Sequence, residues 1–333
     1  MHSFSDIIGN EHIKRNLQNA IKSKRVSHAF IFSGATGTGK KLMAYTFAKA
    51  LACASYPAPC GECIPCRTFE SGNNPDIIPV RTNGKSIGVD EVREQITFKM
   101  RSKPYNGKYK IFVIEDANKL TVAAQNALLK TMEEPEQYGI FLLTCENYNI
   151  FLPTIISRTI ILSINPLTND MVSDYLIKKN VASKEDSEIF ASYSEGSIGR
   201  AMSLADDEEF KALRINFLNL AESVENGDAA DAIKAAEEMA NYKEKVQDGL
   251  SVLALRYRNA LVYSATGRTD LLTERLSAVQ IKEFTKDKTL LQLTKRLESI
   301  IKAKNELLQN ANTRITLEVM LLGCISNSWN AQI

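Results

Sequence analysis

Short apolar runs alternating with amphipathic stretches set the pattern of the first half of the chain. Ala29 to Phe32, Ile77 to Val80, Ile111 to Ile114, Ile140 to Thr144 and Ile160 to Ile164 are continuous apolar segments of strand length. Between them, His12 to Lys22, Lys40 to Cys53, Val89 to Lys99 and Thr121 to Glu134 repeat apolar residues at three or four positions, as helices do. Strands separated by helices predict a parallel sheet with helices on both faces. Asp90 and Thr121 are expected N-caps, and Pro135 is expected to close the helix that Thr121 opens.

Beyond Asn165-Pro166 the strand signals fade. Thr168 to Lys179 and Lys184 to Tyr193 read as helices, and Gly196-Ser197-Ile198-Gly199 as a turn opening another at Arg200. Longer amphipathic stretches follow at Phe210 to Val224, Ala229 to Tyr242, Lys245 to Tyr263, Leu290 to Asn310 and Arg314 to Ser326. The division expected is an α/β domain over 1–165, a small helical unit over 166–207 and an all-helical domain over 208–333. The apolar stripes of the last are expected to pack on one another rather than on a ligand. The sequence shows neither an internal repeat nor a low-complexity segment.

Composition narrows the classes of function. The chain has 333 residues, and 41 basic against 39 acidic groups leave a formal charge of +2, which argues against a general polyanion-coating role and makes any nucleic-acid contact local. The longest apolar runs fall far short of the ~20 residues that cross a bilayer, and Met1 to Asn10 lacks the apolar core of a secretory signal. A cytoplasmic location without membrane contact is expected.

The strongest chemical signal is Gly34-Ala35-Thr36-Gly37-Thr38-Gly39-Lys40, set between a strand and a helix. That context aims backbone N–H groups and the positive end of a helix dipole at one point, where phosphates bind, and Lys40 adds a charge. Where the phosphate-loop pattern needs Ser or Thr to ligate Mg²⁺, this chain has Lys41, a cation with no oxygen to offer. The strand Lys110 to Ile114 ends in Glu115-Asp116, whereas an active ATPase of this type carries Asp and then Glu. Both carboxylates are displaced by a methylene, and misplacements of that size cost about a hundredfold in rate. Weak or absent hydrolysis is expected.

Cys60-Gly61-Glu62-Cys63-Ile64-Pro65-Cys66 holds two overlapping C-x-x-C spacings, with Cys53 ahead of them. Four thiolates close a tetrahedral zinc site that leaves no position for water, hence a structural metal. A redox-active pair is the rival reading. Cys145 and Cys324 stand alone as expected buried thiols, and His2, His12 and His28 have no ligand spacing.

Several segments taken in order carry a family resemblance: Ile7-Ile8-Gly9-Asn10, His28-Ala29-Phe30 before the loop, the cysteine insertion over 53–66, Ile114-Glu115-Asp116-Ala117, Ala124 to Thr131, Glu133-Glu134-Pro135 and Thr154-Ile155-Ile156-Ser157-Arg158. The chain resembles the delta-prime family of bacterial DNA polymerase III clamp-loader subunits, in the AAA+ superfamily, and Asn310 to Leu322 is similar to that family's closing helix. The resemblance implies a RecA-like module, a helical lid and a C-terminal helical collar that builds a hetero-pentamer with the gamma/tau motor subunit and the clamp-opening delta subunit. Its implied work is loading a sliding clamp onto primed DNA, as a stator that does not hydrolyse ATP.

The resemblance also assigns residues. Ser157 and Arg158 match an arginine-finger element that would act in trans on a neighbour's ATP. Gly34, Gly37, Thr38, Gly39, Lys40, Lys41, Glu115 and Asp116 would form a vestigial nucleotide site, with Arg200 at the lid's nucleotide-sensing position. Ile7, Ile8 and Gly9 match a segment around adenine, although isoleucines pack in a core regardless. Zinc at Cys53, Cys60, Cys63 and Cys66 is the implied structural cofactor. The competing readings are an active AAA+ ATPase and a zinc-dependent nucleic-acid-binding module with a relic loop.

Overall fold

The computed structural model describes residues 2–325 apart from 83, 134–135, 226 and 274–277. It divides into two compact units: residues 1–172 with 195–200, and residues 173–194 with 201–333.

The first unit is built on five parallel strands, β1 (Ala29–Ser33), β2 (Ile77–Val80), β3 (Lys110–Ile114), β4 (Gly139–Cys145) and β5 (Ile160–Ser163), in the order β2-β3-β4-β1-β5. β1, β3 and β4 are buried at every position, which is why they read as unbroken apolar runs. Successive residues face opposite layers. Phe30, Phe32, Ile111, Val113, Ile140 and Leu142 join one core with Ile13 and Leu17 of α1 (Glu11–Ser23) and Met43 and Phe47 of α2 (Lys40–Ala52). Ile31, Phe112, Ile114, Phe141 and Leu143 join the other, where the Phe112 and Phe141 rings stack at 5.7 Å. The cysteine insertion carries α3 (Ile64–Glu70), a helix absent from the sequence expectation.

The second core is covered by α4 (Val89–Val92), α5 (Phe98–Met100), α6 (Val122–Glu133) and α7 (Pro153–Ile156). A π-helical turn at Arg93–Thr97 joins α4 to α5 within the single helix expected there. Asp90 does not cap α4. Gly88 holds that position, and its N–H donates to Glu91 Oε2 at 3.0 Å, so the acidic residue three places on supplies the cap. Thr121 behaves as expected, its hydroxyl oxygen accepting from the Ala124 N–H. Pro135 and Glu134 lie outside the described residues.

α8 (Asn169–Lys178), α9 (Lys184–Tyr193) and α10 (Ile198–Asp206) follow the sheet. The second unit contains α11 (Phe210–Glu225), α12 (Ala229–Ala240), α13 (Val246–Thr266), α14 (Ala278–Thr285), α15 (Leu290–Leu308) and α16 (Thr313–Ile325). α13 packs on α11 and α15, while α12 packs on α16 and α11 and buries Ala232, Ala235 and Ala236. Glu225, buried in this bundle, is compensated by Arg296 at 2.7 Å, Lys288 at 3.1 Å and the Tyr257 hydroxyl. Ser326, expected to end the last helix, and the side chain of Cys324 lie outside what is described.

Candidate functional site

β1 delivers the chain into the glycine loop at the C-terminal edge of the sheet, where parallel α/β folds bind ligands. Gly37 and Gly39 adopt φ of +77° and +89°, in the left-handed region open to glycine. Gly39 caps α2 without a side-chain hydrogen bond, so the first amides of that helix stay available to an anion. The turn Gly196 to Gly199 rests against the loop: a Cβ on Gly37 would lie 2.2 Å from Ser197 Oγ. That oxygen accepts from the Arg200 N–H at 3.1 Å and so opens α10.

Lys40 is buried and folds back on the loop, donating to the carbonyls of Gly34 at 2.6 Å and Ala35 at 2.7 Å. Burial pulls its pKa below the ordinary lysine value. Thr38 also turns inward, its hydroxyl donating to Ala35 O at 2.8 Å. Thr36 donates to Glu146 Oε1 at 2.6 Å on the far wall of the cleft, just past β4.

Lys41, at the position where the loop pattern calls for Ser or Thr, bridges the acidic pair. Its ammonium lies 3.3 Å from Glu115 Oε2 and 3.1 Å from Asp116 Oδ2. Burial lowers its pKa, but the hydrogen bonds and charges of Asp116 and then Glu115 outweigh burial and hold it above the ordinary value. Glu115 has further partners: its Oε1 accepts from the Tyr45 hydroxyl and from Arg81 Nε, each at 2.5 Å. Burial raises the Glu115 pKa, and the bonds from Tyr45, Arg81 and Lys41 reverse that and bring it below the usual carboxylate range. Asp116 takes left-handed backbone angles, and its N–H donates to the buried Thr144 hydroxyl.

This donor set does not fit magnesium. Mg²⁺ needs near-octahedral oxygens at about 2.0–2.1 Å. Here the hydroxyl ligand is replaced by a cation, one carboxylate is saturated and the other is paired. What remains is a glycine loop at a helix N-terminus beside an acidic pair bonded by Lys41, Arg81 and Tyr45. The sequence reading missed Tyr45 and Arg81. The signal for Arg81 is strand register: Val80 pairs with Ile114, so the residues that follow, Arg81 and Glu115, meet across the sheet.

Arg158 stands apart from this cleft. It follows α7 and precedes β5, whose Ile160 pairs with Phe30 and whose Ser163 pairs with Ser33. Arg158 therefore leaves the N-terminal edge of the sheet and the glycine loop the C-terminal edge, with four strand residues, or about 13 Å, between them. Its guanidinium contacts Glu133 Oε1 at 3.1 Å, Thr154 O at 3.2 Å and Ser157 Oγ at 3.3 Å, and is half-exposed. Ile7 is buried among core residues, as its apolar character alone requires.

The cysteines converge as their spacing predicts. The sulfurs of Cys53, Cys60, Cys63 and Cys66 all lie within 4.8 Å of one another, and Cys53 Sγ to Cys63 Sγ is 3.9 Å. A tetrahedral Zn–S shell at about 2.3 Å sets neighbouring sulfurs about 3.8 Å apart, so the four donors fit that metal. Backbone N–H groups of Cys63 and Glu62 pull the Cys60 thiol down to about 6, while burial pushes Cys53 and Cys66 up. Cys145 is buried at the end of β4, where burial also raises its thiol pKa.

The family model described as DNA polymerase III, delta subunit, matches residues 9–168. The DNA polymerase III subunit delta' of Bacillus subtilis is 30% identical over 315 residues, covering 93% of this chain and 94% of that subunit. The tau subunit of B. subtilis is 30% identical over 344 residues, covering 96% of this chain and 61% of tau. The tau/gamma subunit of Haemophilus influenzae is 34% identical over 211 residues, covering 61% of this chain and 30% of that protein. The chain thus spans less than two thirds of the tau-type relatives and nearly all of delta'. Identity carried along almost the full length of two chains reflects common descent beyond a shared loop, and this chain belongs to the AAA+ family of DNA polymerase III clamp-loader subunits that includes delta' and tau.

Proposed function

We propose that the chain is the delta'-type stator of a clamp loader, assembled with gamma/tau and delta subunits in a cytoplasmic hetero-pentamer that places a sliding clamp on primed DNA. The observation that carries this reading is the acidic pair Glu115 and Asp116 held by Lys41 and Arg81. Phosphoryl transfer depends on a correctly placed metal and water-positioning group. With both carboxylates engaged, the subunit binds its partners without hydrolysing ATP. Residues 1–165 form its RecA-like module, 166–207 its lid and 208–333 its collar.

Its chemical contribution is Arg158, with Ser157 orienting the guanidinium. The separation between Arg158 and its own glycine loop supports donation to a neighbouring subunit. A guanidinium supplied in trans is worth about 10³–10⁵ in rate at the site it serves. On docking, the neighbour's phosphate replaces Glu133 as its partner. Zinc on the four cysteines staples the insertion, with no catalytic share, and Arg200 stands beside the vestigial nucleotide site.

A second reading, an active motor ATPase, draws on the complete Gly34 to Lys40 loop and the tau relationship. Reconstitution of the loader with Arg158→Ala tests the finger, and ATP turnover by the isolated chain separates the two readings. The stator reading expects normal assembly by size-exclusion chromatography and a loss of turnover of about 10³-fold at the neighbouring site. Unchanged turnover removes Arg158 from the mechanism.

A further inference from the structure

The glycine loop and the acidic pair present opposite demands to a ligand. A nucleoside triphosphate needs countercharge, which a divalent cation ordinarily brings, yet the metal's place holds the Lys41 ammonium, 3.3 Å from Glu115 and 3.1 Å from Asp116. Arg81 completes the set from the other side of Glu115 at 2.5 Å. Two carboxylates face two protein cations, so the pair is already neutral. A divalent ion added here would displace an ammonium and leave an excess of positive charge. Around it stand the uncapped N-terminus of α2 and a cleft of about 560 Å³ lined by Lys40, Lys41 and Lys119 together with the carboxylates of Asp116 and Glu146, the latter bonded by Thr36.

We infer that Lys41 is a built-in substitute for the metal, so that this loop takes nucleoside polyphosphates without a divalent cation and holds them as structural ligands. Lys41 serves a dual contact: its ammonium neutralises Asp116 and Glu115 and, 47% exposed, still has a side open to a phosphate oxygen. Lys40 turns from the carbonyls of Gly34 and Ala35 onto the same ligand. The inference rests on the degenerate-site reading of the proposed function and adds a ligand class and a metal requirement to it.

The test is titration of the full chain with a fluorescent N-methylanthraniloyl ATP, once in excess EDTA and once in excess MgCl₂. The wild-type affinity is expected to be the same in both within about threefold. Lys41→Thr, which supplies the missing hydroxyl and removes the cation, is expected to lose about tenfold in EDTA and to recover with Mg²⁺, while Lys41→Arg keeps wild-type behaviour. Mn²⁺ paramagnetic resonance gives a second readout: nucleotide-loaded wild type leaves Mn²⁺ free and Lys41→Thr binds it. Binding by wild type that tightens about tenfold or more with Mg²⁺ overturns the inference, and so does absence of binding in both buffers. Neither result touches the stator reading, which falls only if the chain turns ATP over.

Discussion

Gly37→Ala probes the contact between the glycine loop and the turn that opens α10. Two separable penalties follow from the geometry. Gly37 has φ of +77°, and holding alanine in that left-handed region costs about 1–2 kcal/mol. The new Cβ would also lie 2.2 Å from Ser197 Oγ, so Ser197 must move and release the Arg200 N–H, and loss of such a cap costs about 1 kcal/mol. Hydrogen exchange by mass spectrometry on a peptide spanning 195–206 reads the second penalty locally. Protection at Arg200 should fall about fivefold in Gly37→Ala. In a Ser197→Gly background, where the obstructing oxygen is gone, adding Gly37→Ala should leave protection there unchanged. Equal losses in both backgrounds would refute the contact as the origin of the effect.

Three further outcomes follow from other parts of the molecule. The purified chain should carry about one zinc by atomic emission, and native thiols should react with Ellman's reagent slowly until a chelator is added; metal-free protein with four rapidly reacting thiols would contradict the site. Glu70 is held down to about 2, first by the hydrogen bond from buried Lys49 at 2.6 Å and then by the His2 N–H. Because this folded pKa lies below the ordinary 4.5, the pair's stabilisation is present above pH 4.5 and lost as pH falls toward 2. Urea melts across that window should therefore show Glu70→Gln less acid-sensitive than wild type, and parallel pH curves would sink the assignment. Gly249→Ala would bring a Cβ within 2.3 Å of the buried Phe217 ring between α13 and α11; overpacking should outweigh the gain in helix propensity, leaving the helical unit about 1–2 kcal/mol less stable in urea melts. A variant as stable as wild type would show that Phe217 can yield.

How much of this was legible depended on whether the signal lay in one segment or in two. The central strands β1, β3 and β4 read correctly because a parallel sheet buries both their faces, leaving runs such as Ile111 to Ile114 with no polar interruption, and β5, largely exposed, read correctly from its apolar run alone. The cysteine cluster was readable because three of its members lie within seven consecutive positions. Lys41 was recognised as the wrong residue for a metal, but its grip on Glu115 and Asp116 required the sheet order that brings β3 beside the loop's helix. Arg81 and Tyr45 were hidden for the same reason, since Arg81 reaches Glu115 through the pairing of β2 with β3 and Tyr45 through the packing of α2 against β3. At the local level, the sequence offers Asp90 as the cap, but Gly88 holds that position and Glu91 bonds its N–H, an arrangement that a polar side chain at the helix start does not signal. α3 and α7 were too short to show helical period.

The proposed stator role stands on an acidic pair already bonded by Lys41 and Arg81. The most direct measurement is phosphate release by the isolated chain with ATP, Mg²⁺ and primed DNA. Release indistinguishable from a protein-free blank is expected. Sustained multiple turnover that disappears in Lys40→Ala would contradict it.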